Sequence, residues 1–340
     1  MKAIVFHGAG DLRFEDIPVP TPKPGEVLLR VDAALTCGTD VKTYRRGHPV
    51  MIPVVPTIFG HELAGTVVEV APGVEEFREG DRVVAANSAP CGRCFYCRRG
   101  RPNLCEDLFF FNGAFAEYAL IPGRVVAVNL VRIADGLPAH RAAFAEPLAC
   151  VLQALSLVEI GPGDHVAIFG HGPLGQLLAL LATHRGGRVL LVGKPGLRFD
   201  WARSVGFHCV DGSDLSQAVA AIQQATDARG ADLAIDATGR PRTWEQAVAA
   251  TRRGGTTLFF GGCAPGTEIR IDTRRIHYEE LRLLGAFHHT PTTMREALRL
   301  LESGAVNPES LVTHEMGLKD VVEALELMAR GETLKVLIHP

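Results

Sequence analysis

The chain has 340 residues, 47% of them hydrophobic and 21% charged, with a formal net charge of −3 at pH 7. That length accommodates two domains, each with its own core, and the charge balance gives no whole-chain attraction for nucleic acid or an anionic lipid surface. No apolar run approaches the roughly 20 residues that span a bilayer.

The opening stretch MKAIVFHGAG has four consecutive apolar residues, Ala3 to Phe6, so it reads as a first β-strand and not as a signal peptide. A cytoplasmic location is expected, where thiols stay reduced. Up to about residue 145 the chain is rich in short β patterns set between Gly and Pro. A proline-rich turn, VPTPKPGE (19–26), leads into GEVLLRVDAAL; ELAGTVVEVAPGV and GDRVVAA follow. From about 148 the texture becomes strand–helix alternation. HVAIFG, RVLLVG, ADLAIDATG and GTTLFFGG read as buried strands, PLGQLLALLATHRG as a helix and RFDWARSVG as a short one. This alternation predicts a parallel, doubly wound sheet. After about 287, TTMREALRLLESG and LKDVVEALELMARGE read as amphipathic helices and KVLIHP as a terminal strand.

Between these regions lies CGRCFYCRRGRPNLC, with Cys91, Cys94, Cys97 and Cys105 in fifteen positions. A reducing compartment argues against a disulfide knot, and a thioredoxin-type pair needs one C-x-x-C at a helix N-terminus. Tetrahedral zinc matches better, because short-spaced arms plus a returning thiolate can close around one ion. An iron–sulfur cluster is the main rival, although the ferredoxin run has a shorter last spacing and a proline absent here. A closed four-cysteine site has no open position, so its role is structural.

VAIFGHGPLGQLLALL contains Gly170, Gly172 and Gly175, a G-x-G-x-x-G between a strand and a helix. The first glycine permits the turn, the second lets backbone approach a pyrophosphate, and the third packs helix on strand, with the helix N-terminus facing the anion. Pro173 and Leu174 within the loop, and Thr238 and Gly261 after later strands, complete the expected cofactor contacts. At the end of the second strand an NAD site places Asp or Glu on the ribose 2′-hydroxyl. Here Gly193 stands there, with Lys194 and Arg198 beyond it. A missing carboxylate and two cations favour the 2′-phosphate of NADP(H) over NAD(H).

Hydride transfer to a nicotinamide also needs a group that takes charge from the alcohol oxygen. CGTD supplies Cys37, Thr39 and Asp40; FGHELAG supplies His61 and Glu62; AEPLAC supplies Glu146. Thiolate, imidazole and carboxylate make a mixed-ligand metal site able to keep one position open.

With these pieces in order, together with GAFAEYALIP and DATG, the chain resembles the medium-chain, zinc-dependent alcohol dehydrogenases over nearly its whole length. EPLAC is similar to the polyol (sorbitol) and threonine dehydrogenase branch. The resemblance implies an α/β protein: a GroES-like β-barrel catalytic domain, residues 1–147 and 287–340, and a Rossmann domain, residues 148–286, with the active site in the cleft. It implies two zinc ions per chain. Cys37 and His61 match catalytic zinc ligands, Glu62 and Glu146 two carboxylates of which either ligates, and the four lobe cysteines the structural site. Asp40 matches a carboxylate orienting the histidine, Thr39 the hydroxyl that begins the proton relay, and Lys335 a basic residue near the cofactor pyrophosphate. Relatives often carry a histidine where this chain has Lys42, so either the proton leaves through the cofactor ribose or Lys42 is the terminal base.

Asn87 and Phe59 are expected at the substrate pocket. A polar amide at 87 favours a hydroxylated substrate: a polyol or sugar alcohol first, threonine second, a simple secondary alcohol third. LRLLGAF (281–287) offers an edge strand for a homodimer or tetramer. Two non-enzymatic readings stand beside this one, a nucleic-acid-binding zinc module and an inactive cofactor-binding relative; neither a nucleic-acid nor a membrane partner is expected.

Overall fold

The segment VLLRVDAAL offers apolar side chains to both of its faces, and in the computed structural model, which describes Met1–Pro340, the strand Val27–Leu35 is buried everywhere except at Arg30 and, in part, Asp32. It is the hub of a seven-stranded sheet. Its neighbours are Glu62–Val70 on one side and Lys335–His339 on the other, with Tyr118–Ile121 also pairing to its first half. Arg82–Ala85 and Leu130–Arg132 extend the sheet beyond Glu62–Val70, and Val312–Gly317 extends it beyond Lys335–His339. A three-stranded sheet of Asp11–Asp16, Lys2–Gly8 and Thr57–Ile58 completes the β framework of this unit, apart from the short pair Ser88–Ala89 and Phe109–Phe110. Its core includes Leu29, Leu63, Val67, Ile121 and the rings of Phe6, Phe59 and Phe115.

Register places the site. Leu35 lies opposite both Glu62 and Leu337, so the ends of three strands converge at one point. Thr36 fixes this convergence: its amide donates to the Val336 carbonyl at 3.1 Å, and its hydroxyl accepts from the Val336 amide at 2.9 Å.

The chain divides into two compact units, Met1–Ala149 with His289–Pro340, and Cys150–His288. Each boundary falls two residues beyond the expected one, and the first lies within the helix Ala145–Leu155. Another difference is local. Gly123–Asn129 is a helix in a region whose texture suggested strands; it begins after Pro122 and buries Val125 and Val126.

In the second unit six parallel strands stand in the order His208–Asp211, Arg188–Gly193, His165–Phe169, Ala231–Asp236, Thr251–Phe259, Arg282–Gly285. Numbered along the chain this is 3-2-1-4-5-6, the dinucleotide-binding order, whose ligand crevice lies where the order reverses. The two central strands HVAIF and ADLAID are buried almost throughout, as expected for strands covered on both faces. The strand expected from Gly255 begins earlier, at Thr251, and the helix after the glycine loop is Pro173–His184. The α/β combination of a GroES-like unit and a Rossmann unit is the one the sequence suggested.

Candidate active site

Cys37 caps the helix Gly38–Arg46: its side chain accepts from the Thr39 amide at 3.5 Å, and the Asp40 carboxylate returns to accept from the Cys37 amide at 2.8 Å. The other Asp40 oxygen lies 2.8 Å from His61 Nδ1. One buried carboxylate therefore orients both a thiol and an imidazole and leaves His61 Nε2 for an ion. Donor atoms of Cys37, His61 and Glu62 all lie within 4.8 Å of one another, and all three residues are buried.

Glu62 has a partner that the sequence did not suggest. Lys335, only 1% exposed, directs its ammonium at both Glu62 oxygens, 2.5 Å from Oε1. Lys335 was expected near the cofactor pyrophosphate. Its charge is committed to Glu62 inside the first unit, because the aligned strand ends put position 335 beside position 62. Burial opposes the ammonium, but the Glu62 carboxylate and Cys37 outweigh it and raise its pKa.

Glu146 does not join the three-donor group. Its carboxylate lies 3.9 Å from His289 Nε2, and the same nitrogen is 2.9 Å from Asn87 Oδ1. Burial pushes the Glu146 carboxyl up to about 7, with His61 and Lys335 opposing the rise and Glu62 and Asp40 adding to it. Burial and the nearby His61 push His289 down to about 3, so its ring is neutral. His289 was missed in the sequence. Its one signal was the adjacent pair His288–His289 between an apolar strand pattern and a helix. Phe59, expected at the pocket, is instead a core residue, 1% exposed and stacked on Phe6 at 5.5 Å. Thr39 is partly buried and Lys42 exposed, three residues apart on one helix face.

These donors fit zinc. Asp40 and Glu62 against Lys335, with Cys37 as thiolate, give a formal charge of −2 in a buried cluster, which a divalent cation would neutralise. Although burial disfavours its charge, His61 is held well above the ordinary value by Asp40 and Cys37, so an ion must displace a proton to bind there.

In the lobe the four sulfurs also lie within 4.8 Å of one another, with Cys94 and Cys105 Sγ 3.9 Å apart. Tetrahedral zinc at its usual bond length places sulfurs about 3.8 Å apart, whereas a multi-atom cluster needs more room. Backbone hydrogen bonds at Cys97 and Glu106 bring the Cys94 thiol down to about 6, while burial and the thiols of Cys94 and Cys105 push Cys97 up to about 12. A single cation resolves that uneven sharing of protons.

The glycine loop of the second unit fits a dinucleotide. Gly170 has φ +114°, and a Cβ on Gly175 would fall 1.8 Å from the Gly170 carbonyl oxygen. Thr238 closes one side, its Cγ2 2.9 Å from the Cβ position of Gly170. The buried Asp236 carboxylate accepts from the Thr238 hydroxyl at 2.7 Å and from the Gly239 amide at 2.8 Å. Gly261 packs on this turn, its Cβ position 2.3 Å from the Gly239 nitrogen. Pro173 is the first residue of the helix Pro173–His184, and Leu174 the second. Lys194 is exposed and Arg198 half-buried, its Nη1 3.9 Å from where a Gly172 Cβ would sit. No helix is long and apolar enough to cross a membrane.

Comparison with known proteins identifies the family. Residues 23–131 match the alcohol dehydrogenase GroES-like domain, and residues 173–303 match the zinc-binding dehydrogenase domain. The chain is 33% identical to a sorbitol dehydrogenase of Bacillus subtilis (strain 168), with 100% of this chain and 97% of that protein covered. It is 35% identical to an L-threonine 3-dehydrogenase of Pyrococcus abyssi (strain GE5 / Orsay), over 99% and 97%. Among solved structures, a zinc-binding dehydrogenase from Sinorhizobium meliloti 1021 bound to NADP is similar with a TM-score of 0.90 and 31% identity, covering 100% of this chain and 99% of that one. The chain belongs to the zinc-dependent alcohol dehydrogenase family and is an NAD(P)-dependent oxidoreductase acting on CH–OH groups.

Proposed function

We propose that this enzyme transfers a hydride between a secondary hydroxyl of a polyol or sugar alcohol and NADP(H), and that it holds two zinc ions per chain. The observation that carries the substrate class is the buried polar set Asn87, His289 and Glu146. A chain of hydroxyls offers donors and acceptors to these buried polar groups, which a simple apolar alcohol does not. The similarity to a sorbitol dehydrogenase supports the same class.

Cys37, His61 and a carboxylate, Glu62 or Glu146, would hold the catalytic zinc, which when bound supplies Lewis-acid polarisation of the substrate oxygen. Asp40 keeps the imidazole of His61 in one tautomer. Thr39 takes the substrate hydroxyl proton as it hands its own onward, either through the cofactor ribose or to Lys42, one turn along the helix and exposed, once Lys42 has released a proton to water. Lys335 offsets one carboxylate charge, which keeps the cluster from repelling the anionic oxygen that develops during oxidation. Cys91, Cys94, Cys97 and Cys105 would hold the second ion. Gly193, Lys194 and Arg198 favour the 2′-phosphate. The strand Arg282–Gly285 lies at a sheet edge, where it can extend the sheet into a second copy and form a dimer or tetramer.

The test is a panel of polyols, sugars, threonine and 2-alcohols, each assayed with NADP⁺ and NAD⁺. The highest kcat/KM is expected for a polyol with NADP⁺. Highest values for threonine or a monohydroxy alcohol would overturn the substrate class.

A further inference from the structure

The end of the second Rossmann strand holds a steric lock. A Cβ on Gly193 would lie 2.2 Å from His171 Cγ, 2.4 Å from Nδ1 and 2.5 Å from Cδ2. The nearest of these atoms is the root of the side chain, so bending a flexible tip relieves nothing. The ring is also held in place. Its Nε2 is 3.0 Å from the Lys194 carbonyl oxygen, and it packs edge-on against Phe199 with centroids 6.3 Å apart. Behind it, Gln176 is fully buried, and its Nε2 donates to the His171 carbonyl at 2.9 Å and to the Arg198 carbonyl at 3.2 Å. The glycine loop and the turn carrying Lys194 and Arg198 are thereby tied into one piece.

We propose that His171 is a cofactor-specificity residue: its ring fills the space from which an acidic side chain at position 193 would grow, and so shuts out the carboxylate that reads a ribose 2′-hydroxyl. The same contact sets the turn that presents Lys194 and Arg198 to a 2′-phosphate. This role rests on the NADP(H) reading above. Burial first, and then the Arg198 charge, lower the His171 pKa, so the ring acts as a neutral wall and not as a charge. The position is the first variable residue of the G-x-G-x-x-G, where the fingerprint itself demands nothing.

The test is a binding cycle on the full chain: wild type, G193D, H171A and H171A/G193D. Calorimetry would use 2′,5′-ADP and 5′-AMP as probes of the two ribose forms, with Tm measured alongside. Wild type is expected to bind 2′,5′-ADP about tenfold or more tightly than 5′-AMP, the size of a charge-assisted contact. G193D should lose affinity for both and melt lower, while H171A/G193D should recover Tm and prefer 5′-AMP. If G193D is insoluble, G193A with and without H171A gives the same Tm cycle. A wild-type preference for 5′-AMP would overturn the NADP(H) reading and the specificity role with it. A wild type that prefers 2′,5′-ADP, combined with a G193D that keeps its Tm and takes 5′-AMP unaided, would overturn the role of His171 alone.

Discussion

Asp40 reaches the Cys37 amide with one oxygen and His61 Nδ1 with the other, so its removal should loosen two metal donors at once. D40N is expected to weaken binding at the catalytic site by about 10–100-fold, the usual cost of losing such a partner. Competition with a zinc buffer reads this directly, and unchanged affinity would count against the site. Lys335 makes a separate prediction. In K335M the buried Glu62 carboxylate keeps its burial and loses its partner, which should destabilise the metal-free protein by about 3–5 kcal/mol. Urea unfolding of the chelator-treated enzyme measures this. Adding E62Q to K335M should recover part of the loss, because the stranded charge is then gone. Neither Lys335 nor His289 could be identified with its partner from sequence: Lys335 meets Glu62 across 273 residues and His289 meets Asn87 across 202. Only strand register and chain return create such pairs.

The starts of three parallel strands are stitched by one side chain. Asp232, in Ala231–Asp236, accepts from the His165 amide at 2.8 Å and from Arg252 Nε at 2.6 Å. Burial works to raise its carboxyl, but Arg252 and the His165 amide hold it below the ordinary aspartate value. A carboxylate lowered on folding contributes stability that is fully present above its unfolded pKa and is lost as pH falls through its folded pKa. D232N should therefore cost about 1 kcal/mol near neutral pH. The difference from wild type should shrink below about pH 4. Urea midpoints from pH 3 to 7 test the sign; a gap that widens toward acid would refute it. The elements themselves were largely readable, since continuous apolar runs mark buried parallel strands and the glycine loop marks the strand-to-helix turn. The helix Gly123–Asn129 was not, because two valines packed under a proline cap look the same as a strand fragment.

Zinc content tests both units of chemistry together. Wild type is expected to hold two zinc ions per chain, and C37S and C97S one each. The two losses should differ in kind. C37S should abolish turnover and keep dinucleotide affinity and Tm nearly intact, whereas C97S should lower Tm, because the loop 91–105 has short secondary structure and depends on the ion to hold it. The catalytic ion should be lost as pH falls, since Asp40 raises the proton affinity of His61 and protons compete with metal for that ring. Metal analysis of C97S, which keeps only that ion, after dialysis across pH 5–8 measures this. Full retention down to pH 5 would contradict it.

Residues close in sequence, or bound by a fixed local geometry, were settled by the chain alone: the four-cysteine lobe, the glycine turn, the missing acid at Gly193, and Cys37 beside Asp40. Their chemistry depends on spacing within a few residues, and spacing is what a sequence states. Folding assigned the rest. It turned Phe59 into core, gave Lys335 to Glu62, set His289 against Asn87, and laid the His171 ring over Gly193. Each of these depends on which strand lies beside which and in what register, and the free energy that selects them comes from burial summed over the assembled sheets, not from any one segment.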